Sequence, residues 1–350
     1  MPTINCRAFF AALLIAFAAG LVPCRAADLS TPPAATATNG PRLTFLGVSM
    51  ADGYAFMNFD GPNAGTNAGA GTNMNGLSNG RIAVGFDIDN NGSFHNFLTD
   101  YSGDVTPLNI NGSTNANAFG VNRNRRVVGA DGNGNAFFLG SNRVQTFIPG
   151  GGTAAAAFGI NDIGNIVGQY TIGGQTPGFF LASHTGNDFI RIDAPSGPDV
   201  VNAQGVNNKG EIVGFYVGTD GQDHGFKASV SQSSNGQLTG TAIADPTIPP
   251  VAGEPGATFV FSQILAVNDK GIAVGYYGDS TTSQHGFLYN LKTGQYTFLD
   301  DPAEAFNNGV EVTQITGINN SCELTGFYSD ANGVFHGFFA VPSGKLCPVP

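Results

Sequence analysis

A ten-residue phrase returns six times along this chain, and that recurrence limits the fold more than any other property. A small residue and an aliphatic precede Asn or Ser, and a second aliphatic run closes on Gly. The clearest copies are Gly159-Ile160-Asn161 … Ile166-Val167-Gly168, Gly205-Val206-Asn207 … Ile212-Val213-Gly214 and Gly317-Ile318-Asn319 … Leu324-Thr325-Gly326. Looser copies begin at Gly76, Gly120 and Ala266. Successive copies start 44, 39, 46, 61 and 51 residues apart. A period of that size marks one supersecondary unit that buries its apolar face only against its neighbours.

Each unit reads as four strands. The phrase itself supplies strands A and B, joined by a tight turn such as Asn-x-x-Gly. Downstream stands His-Gly-Phe or a relative, strand C: His95-Asn96-Phe97, Asn135-Ala136-Phe137, Pro177-Gly178-Phe179, His224-Gly225-Phe226, His285-Gly286-Phe287 and His336-Gly337-Phe338. An aromatic and aliphatic alternation follows as strand D, as in Phe189-Ile190-Arg191-Ile192-Asp193 and Tyr296-Thr297-Phe298-Leu299-Asp300. No stretch after the first 26 residues keeps a 3.6-residue apolar period, so helix should be negligible. The sixth copy runs out after strand C, while Tyr54–Asp60 is a strand D with no strand C before it. An N-terminal strand completing the last unit leaves no open sheet end. The expectation is an all-β, six-bladed propeller of four-stranded antiparallel blades over 42–342, closed by strand 54–60.

Those three phrases in that order resemble the HAF repeat of bacterial extracellular proteins, over roughly residues 54 to 342. The resemblance implies secretion and a propeller-like fold, and it brings no catalytic residues with it.

The termini and composition narrow the function. Arg7, the apolar run Ala8 to Val22 and Cys24-Arg25-Ala26 read as a signal peptide over 1–26. A flexible linker (27–41) and a tail (343–350) flank the propeller. After cleavage Cys322 and Cys347 remain, and two Cys in an exported chain predict a disulfide between them. The formal charge of −11 and the pI near 4.6 exclude a nucleic-acid partner, whose phosphates demand a basic surface. No later segment is apolar enough to span a bilayer as a helix. The reading is a monomer, secreted or periplasmic.

Candidate sites are few. Residues in equivalent places of every blade lie on a circle, so the recurring His residues cannot converge on one zinc, and they read as structural. Asp87, Asp89 and Asn91 fit the first half of a calcium loop, the only metal-type pattern present. Ser78 sits in Gly-x-Ser-x-Gly, but as a strand-to-strand turn rather than a nucleophile elbow. Departures from the repeat are better pointers, in Asp87–Gly92 and in the insertion from about Ser231 to Gly256, which reads either as a binding loop or as a flexible bulge; a shallow axial site is the default ligand position. The function expected is non-catalytic: a binding or scaffold propeller taking an extracellular glycan, peptide or surface component through one loop face. The alternatives are a hydrolase or lyase acting on polysaccharide and a calcium-dependent adhesive module.

Overall fold

The computed structural model describes residues 40–347 apart from 142, 184–188, 251–253, 308 and 345–346. The signal peptide, most of the linker and the end of the tail lie outside the described residues. Among the described residues regular structure is almost all strand, with two single 3-10 turns at Pro149–Gly151 and Val230–Gln232.

The A–B–C–D reading holds copy by copy. The first copy folds as Gly71–Leu77, Ala83–Ile88, Phe94–Thr99 and Val105–Pro107, each strand antiparallel to the one before. The second is Asn117–Val121, Val127–Ala130, Ala136–Gly140 and Arg143–Phe147. The third is Ala154–Ile160, Ile166–Thr171, Gly178–Leu181 and Phe189–Asp193. Val201–Val206, Glu211–Val217, Asp223–Ser229 and Thr241–Ala242 make the fourth. Phe259–Val267, Ile272–Asp279, Gln284–Asn290 and Tyr296–Phe298 make the fifth. In the last copy Thr313–Ile318, Leu324–Ser329 and Phe335–Pro342 are joined by Tyr54–Asp60, which pairs Asn58 with Phe338. Thr44–Ala51 adds a fifth, outermost strand through a hairpin at Asp52 and Gly53, both with positive φ.

Each strand A packs on the strand A of the next copy, and that of the last copy packs on that of the first. The sheets therefore stand around a common axis, the arrangement of a β-propeller. Every strand A carries a bulge, between Met74 and Gly76 in the first copy and between Ala157 and Gly159 in the third. The skipped residues Asn75, Phe119, Phe158, Gln204, Leu265 and Thr316 line the axis. The residue after the bulge is Gly in all copies but the fifth, which has Ala266, because the neighbouring strand lies so close: a Cβ on Gly159 would sit 2.5 Å from the Gln204 carbonyl oxygen. The Phe of each His-Gly-Phe phrase is a core anchor, with Phe97, Phe137, Phe179, Phe226, Phe287 and Phe338 all buried between sheets.

The repeated Asn does two jobs. In Asn207 the side-chain oxygen accepts the N–H groups of Lys209 and Glu211, which shapes the A–B turn. Its amide then donates to the main-chain oxygen of Asn268, the same position in the next copy, at 2.9 Å. The relay runs from Asn122 to Asn161, Asn207, Asn268 and Asn319. Ser78 breaks it: its hydroxyl accepts the Ile82 N–H at 3.0 Å but has no amide to pass on toward Asn122. Ser78→Asn is expected to raise stability by about 1 kcal/mol, the net worth of one hydrogen bond. Thermal melts should show the midpoint rising by about 2–4 °C; an unchanged midpoint would mean that the relay adds nothing.

Candidate functional site

The axial mouth at the A–B turns is the first place to look for a ligand, and it is full. The residue after each repeated Asn or Ser belongs to a second relay. The Arg123 N–H donates to Asp162, that of Asp162 to Asn208, that of Asn208 to Asp269, that of Asp269 to Asn320 and that of Asn320 to Asn79. Asn79 closes across the mouth onto the second oxygen of Asp162 at 2.7 Å. Both acids there are consumed by these bonds, and the amides of Asn320 and Asn208 hold the Asp269 carboxyl below its ordinary value against the opposing effect of burial. The cavity left is about 50 Å³, with a second void of about 20 Å³ deeper in. Such spaces take a few waters and no sugar ring. At this end the axis therefore has no room for a sugar ring. Ser78 lines this mouth with its hydroxyl accepting a turn N–H, and no His or carboxylate among the described residues bonds it.

The opposite face carries the B–C turns and the D–A connections together, as the repeat implies. Hydrogen bonds join them: the Gly65 N–H to the Ile88 oxygen, Val217 to Val200, Ser280 to Thr258 and Gln284 to Glu311. The insertion reaches this region but is no loose bulge in its described part. Gln237–Thr239 pairs in parallel with Phe189–Asp193 of the third copy, and Thr241–Ala242 then serves as strand D of the fourth. It stitches two neighbouring sheets together.

The recurring His residues are structural in the way expected at two positions. His224 lies between Asp220 of its B–C turn and Asp245 after strand D, each at 3.0 Å. His336 takes Asp60 at 2.8 Å, with Asp330 at 3.7 Å. For both, burial alone would lower the imidazole pKa, but the carboxylates raise it. His95 bonds Asp89 at 3.0 Å.

His285 has the same frame and more. Its Nδ1–H donates to Asp300 at 3.0 Å, and that carboxylate is itself fixed by the Gly286 N–H at 2.8 Å. Its Nε2 stands 3.2 Å from Glu254, an acid of the insertion, and 4.0 Å from Asp279. Glu311, just before the last strand A, completes the group: ligand atoms of Glu254, His285 and Glu311 all lie within 4.8 Å of one another. All three residues are buried, His285 completely. Burial opposes the charge on His285, yet the bond to Asp300 and the charges of Asp300 and Glu254 carry its pKa up to about 9. Burial pushes Glu311 up to about 7, helped by the charge of Glu254. Burial and the charge of Asp300 raise Glu304 further along the same connection.

The calcium-type residues are spoken for individually. Asp87 is fully buried and accepts the Thr72 hydroxyl at 2.8 Å and the Asn63 N–H at 2.8 Å. Burial pushes its pKa up to about 6 in spite of those two bonds. Asp89 caps its turn through the N–H groups of Asn91 and Ser93, and with His95 these bonds hold its pKa at about 2. Asn91 is exposed. Cys322 and Cys347 form a disulfide with Cα atoms 5.4 Å apart.

No protein-family model matches this chain. No curated protein matches it either. Solved structures do. A gluconolactonase from Xanthomonas campestris aligns at 12% identity over 93% of this chain and 100% of that one, with a TM-score of 0.50. The β-propeller domain of the Trilobed protease from Pyrococcus furiosus aligns at 10% identity over 87% and 97%, with a TM-score of 0.43. The BP39L lectin from Burkholderia pseudomallei aligns at 12% over 88% and 97%, with a TM-score of 0.42. At these identities the likeness concerns the fold alone.

Proposed function

We propose that this chain is an exported, non-catalytic binding propeller of six closed blades that takes an extracellular glycan through the face of its B–C turns and D–A connections. One observation carries the reading. The A–B end of the axis is filled by two hydrogen-bond relays, the first interrupted at Ser78, while Glu254, Glu311 and the end of the insertion lie at the opposite face. Completion of the last sheet by Tyr54–Asp60 supports the closed ring, and the three phrases of each repeat support the kinship with HAF-repeat proteins. Export accords with the N-terminal sequence and with the Cys322–Cys347 disulfide. No helix among the described residues is long and apolar enough to cross a membrane.

A glycan array probed with the full chain tests this. Retained glycans should be lost on shaving the opposite-face turns (Asn91→Ala with Asn332→Ala) and kept on substituting Asn79 at the axial mouth. Release of reducing sugar from any retained polysaccharide, or binding abolished only by the axial change, would overturn the reading. An empty array would remove the glycan.

A further inference from the structure

The group around His285 differs from its counterparts in one respect. Every His of the repeat has an Asp from the B–C turn or from the end of strand D. Only the fifth copy adds Glu254 from the insertion and Glu311 from the last D–A connection, both buried. Four carboxylates then face one imidazole inside the protein. Something must neutralise such a group, either protons on the acids and the imidazole or a cation in their place.

A second observation points to what would. The Asp279 oxygen nearest His285 is buried and has no hydrogen-bond partner among the described residues, although its fellow oxygen accepts the Thr281 N–H and hydroxyl. An orphaned carboxylate oxygen in a native interior calls for a partner. It lies 4.0 Å from His285 Nε2, on the side occupied by Glu254.

The imidazole is prepared in the same sense. Nδ1 faces Asp300, so the nitrogen turned toward Glu254 and Asp279 is Nε2, which a metal would hold in place of its proton. A carboxylate bonded to the far nitrogen is the usual support of a metal-bound His, since it fixes the tautomer and raises ligand basicity. Ligands at about 2.0–2.1 Å on a tetrahedral ion stand roughly 3.3 Å apart; Glu254 and His285 are 3.2 Å apart already, while Asp279, 4.0 Å from the ring, and Glu311, within 4.8 Å of both, would close in on the ion.

We propose that Glu254, Asp279, His285 and Glu311 bind one divalent transition-metal ion of the zinc or manganese class, with Asp300 orienting the imidazole. One nitrogen and three carboxylates suit those ions better than calcium, which takes six to eight oxygens. Bound there, the ion would tie the insertion, the fifth sheet and the connection to the sixth together. The inference does not depend on the glycan reading, and its test contains no glycan.

Full-length protein stripped with EDTA and dialysed would be titrated with Zn²⁺, Mn²⁺ and Ca²⁺, followed by calorimetry and thermal melting. One equivalent of Zn²⁺ or Mn²⁺ should bind and raise the midpoint by about 5 °C, because a ligand held only by the folded state stabilises it. Ca²⁺ should do neither at the same concentration. The double substitution Glu254→Gln and Glu311→Gln should weaken binding at least 100-fold, with circular dichroism showing whether the metal-free variant is folded. Asp245→Asn, beside His224, should leave binding unchanged. Should the double variant fail to fold, Co²⁺ added to the stripped native chain must give the visible d–d bands of a nitrogen- and oxygen-ligated ion. Absence of stoichiometric binding, a shift that survives in the folded double variant, a response to Ca²⁺ alone, or colourless cobalt protein would each overturn the proposal.

Discussion

Replacing Phe56 and Phe59 together by Ala is expected to leave little folded protein at 37 °C. Both rings are fully buried on the strand that reaches the last sheet from the other end of the chain. Phe56 meets Phe338 edge-on at 5.4 Å, and Phe59 meets Phe339 at 4.6 Å. Each Phe→Ala change in a core costs about 3–5 kcal/mol. Two on one strand couple rather than add, yet even about 6 kcal/mol is comparable with the 5–15 kcal/mol that holds a domain together. Phe59→Ala alone should lower the midpoint by roughly 10 °C. Met50→Ala, on the outermost strand and 58% exposed, should stay within about 0.5 kcal/mol. A double variant that melts within a few degrees of the parent would show that this strand is an ornament on a ring that stands without it.

Much of this was readable beforehand because the repeat reports the same physics six times. Strand order, the role of the Phe in His-Gly-Phe, the sharing of one face by B–C turns and D–A connections, and the strand at Tyr54–Asp60 all follow from phrases that recur in register. What was missed lies where no repeat speaks. Thr44–Ala51 had a local signal, an alternating run before Asp52-Gly53, but nothing in the four-strand unit called for a fifth strand. The pairing of Gln237–Thr239 with Phe189–Asp193, from which three other strands separate it in the chain, depends on which edge lies nearby in space, which no local pattern states.

The His285 group shows the limit most clearly. Equivalent His residues of different blades do not meet, and that argument stands for His224 and His336. It says nothing of carboxylates delivered by connections that do not repeat. Glu254 and Glu311 lie far apart in sequence and on either side of His285, and only the arrangement of the fifth and sixth sheets brings them within reach of it. Glu254 stands in the insertion that the sequence marks out, but no local pattern joins it to Asp279, His285 or Glu311.

Asn207→Ala is the second change expected to have a large effect, and its isostere decides why. The alanine variant deprives the Lys209 and Glu211 N–H groups of their acceptor and the Asn268 oxygen of its donor, in a place where Asn207 is 3% exposed. Buried groups left without partners cost about 1–3 kcal/mol each before relaxation and water recover part, so a net loss of about 3 kcal/mol is expected. Urea unfolding should show it as a lower midpoint with an unchanged slope, the sign of altered stability rather than an altered denatured state. Asn207→Asp keeps the shape and the turn acceptor but sets a carboxylate against the Asn268 carbonyl and the Glu211 side chain, where an amide donated to both. At pH 7 it should therefore be at least as damaging as alanine, and part of the loss should return as the pH falls and the new carboxyl takes up a proton. Lys209→Ala, in the same turn but outside the relay, should change stability by no more than about 0.5 kcal/mol. If the aspartate variant matched the parent at pH 7, the link between sheets would contribute nothing, and the Asn would recur for its turn alone.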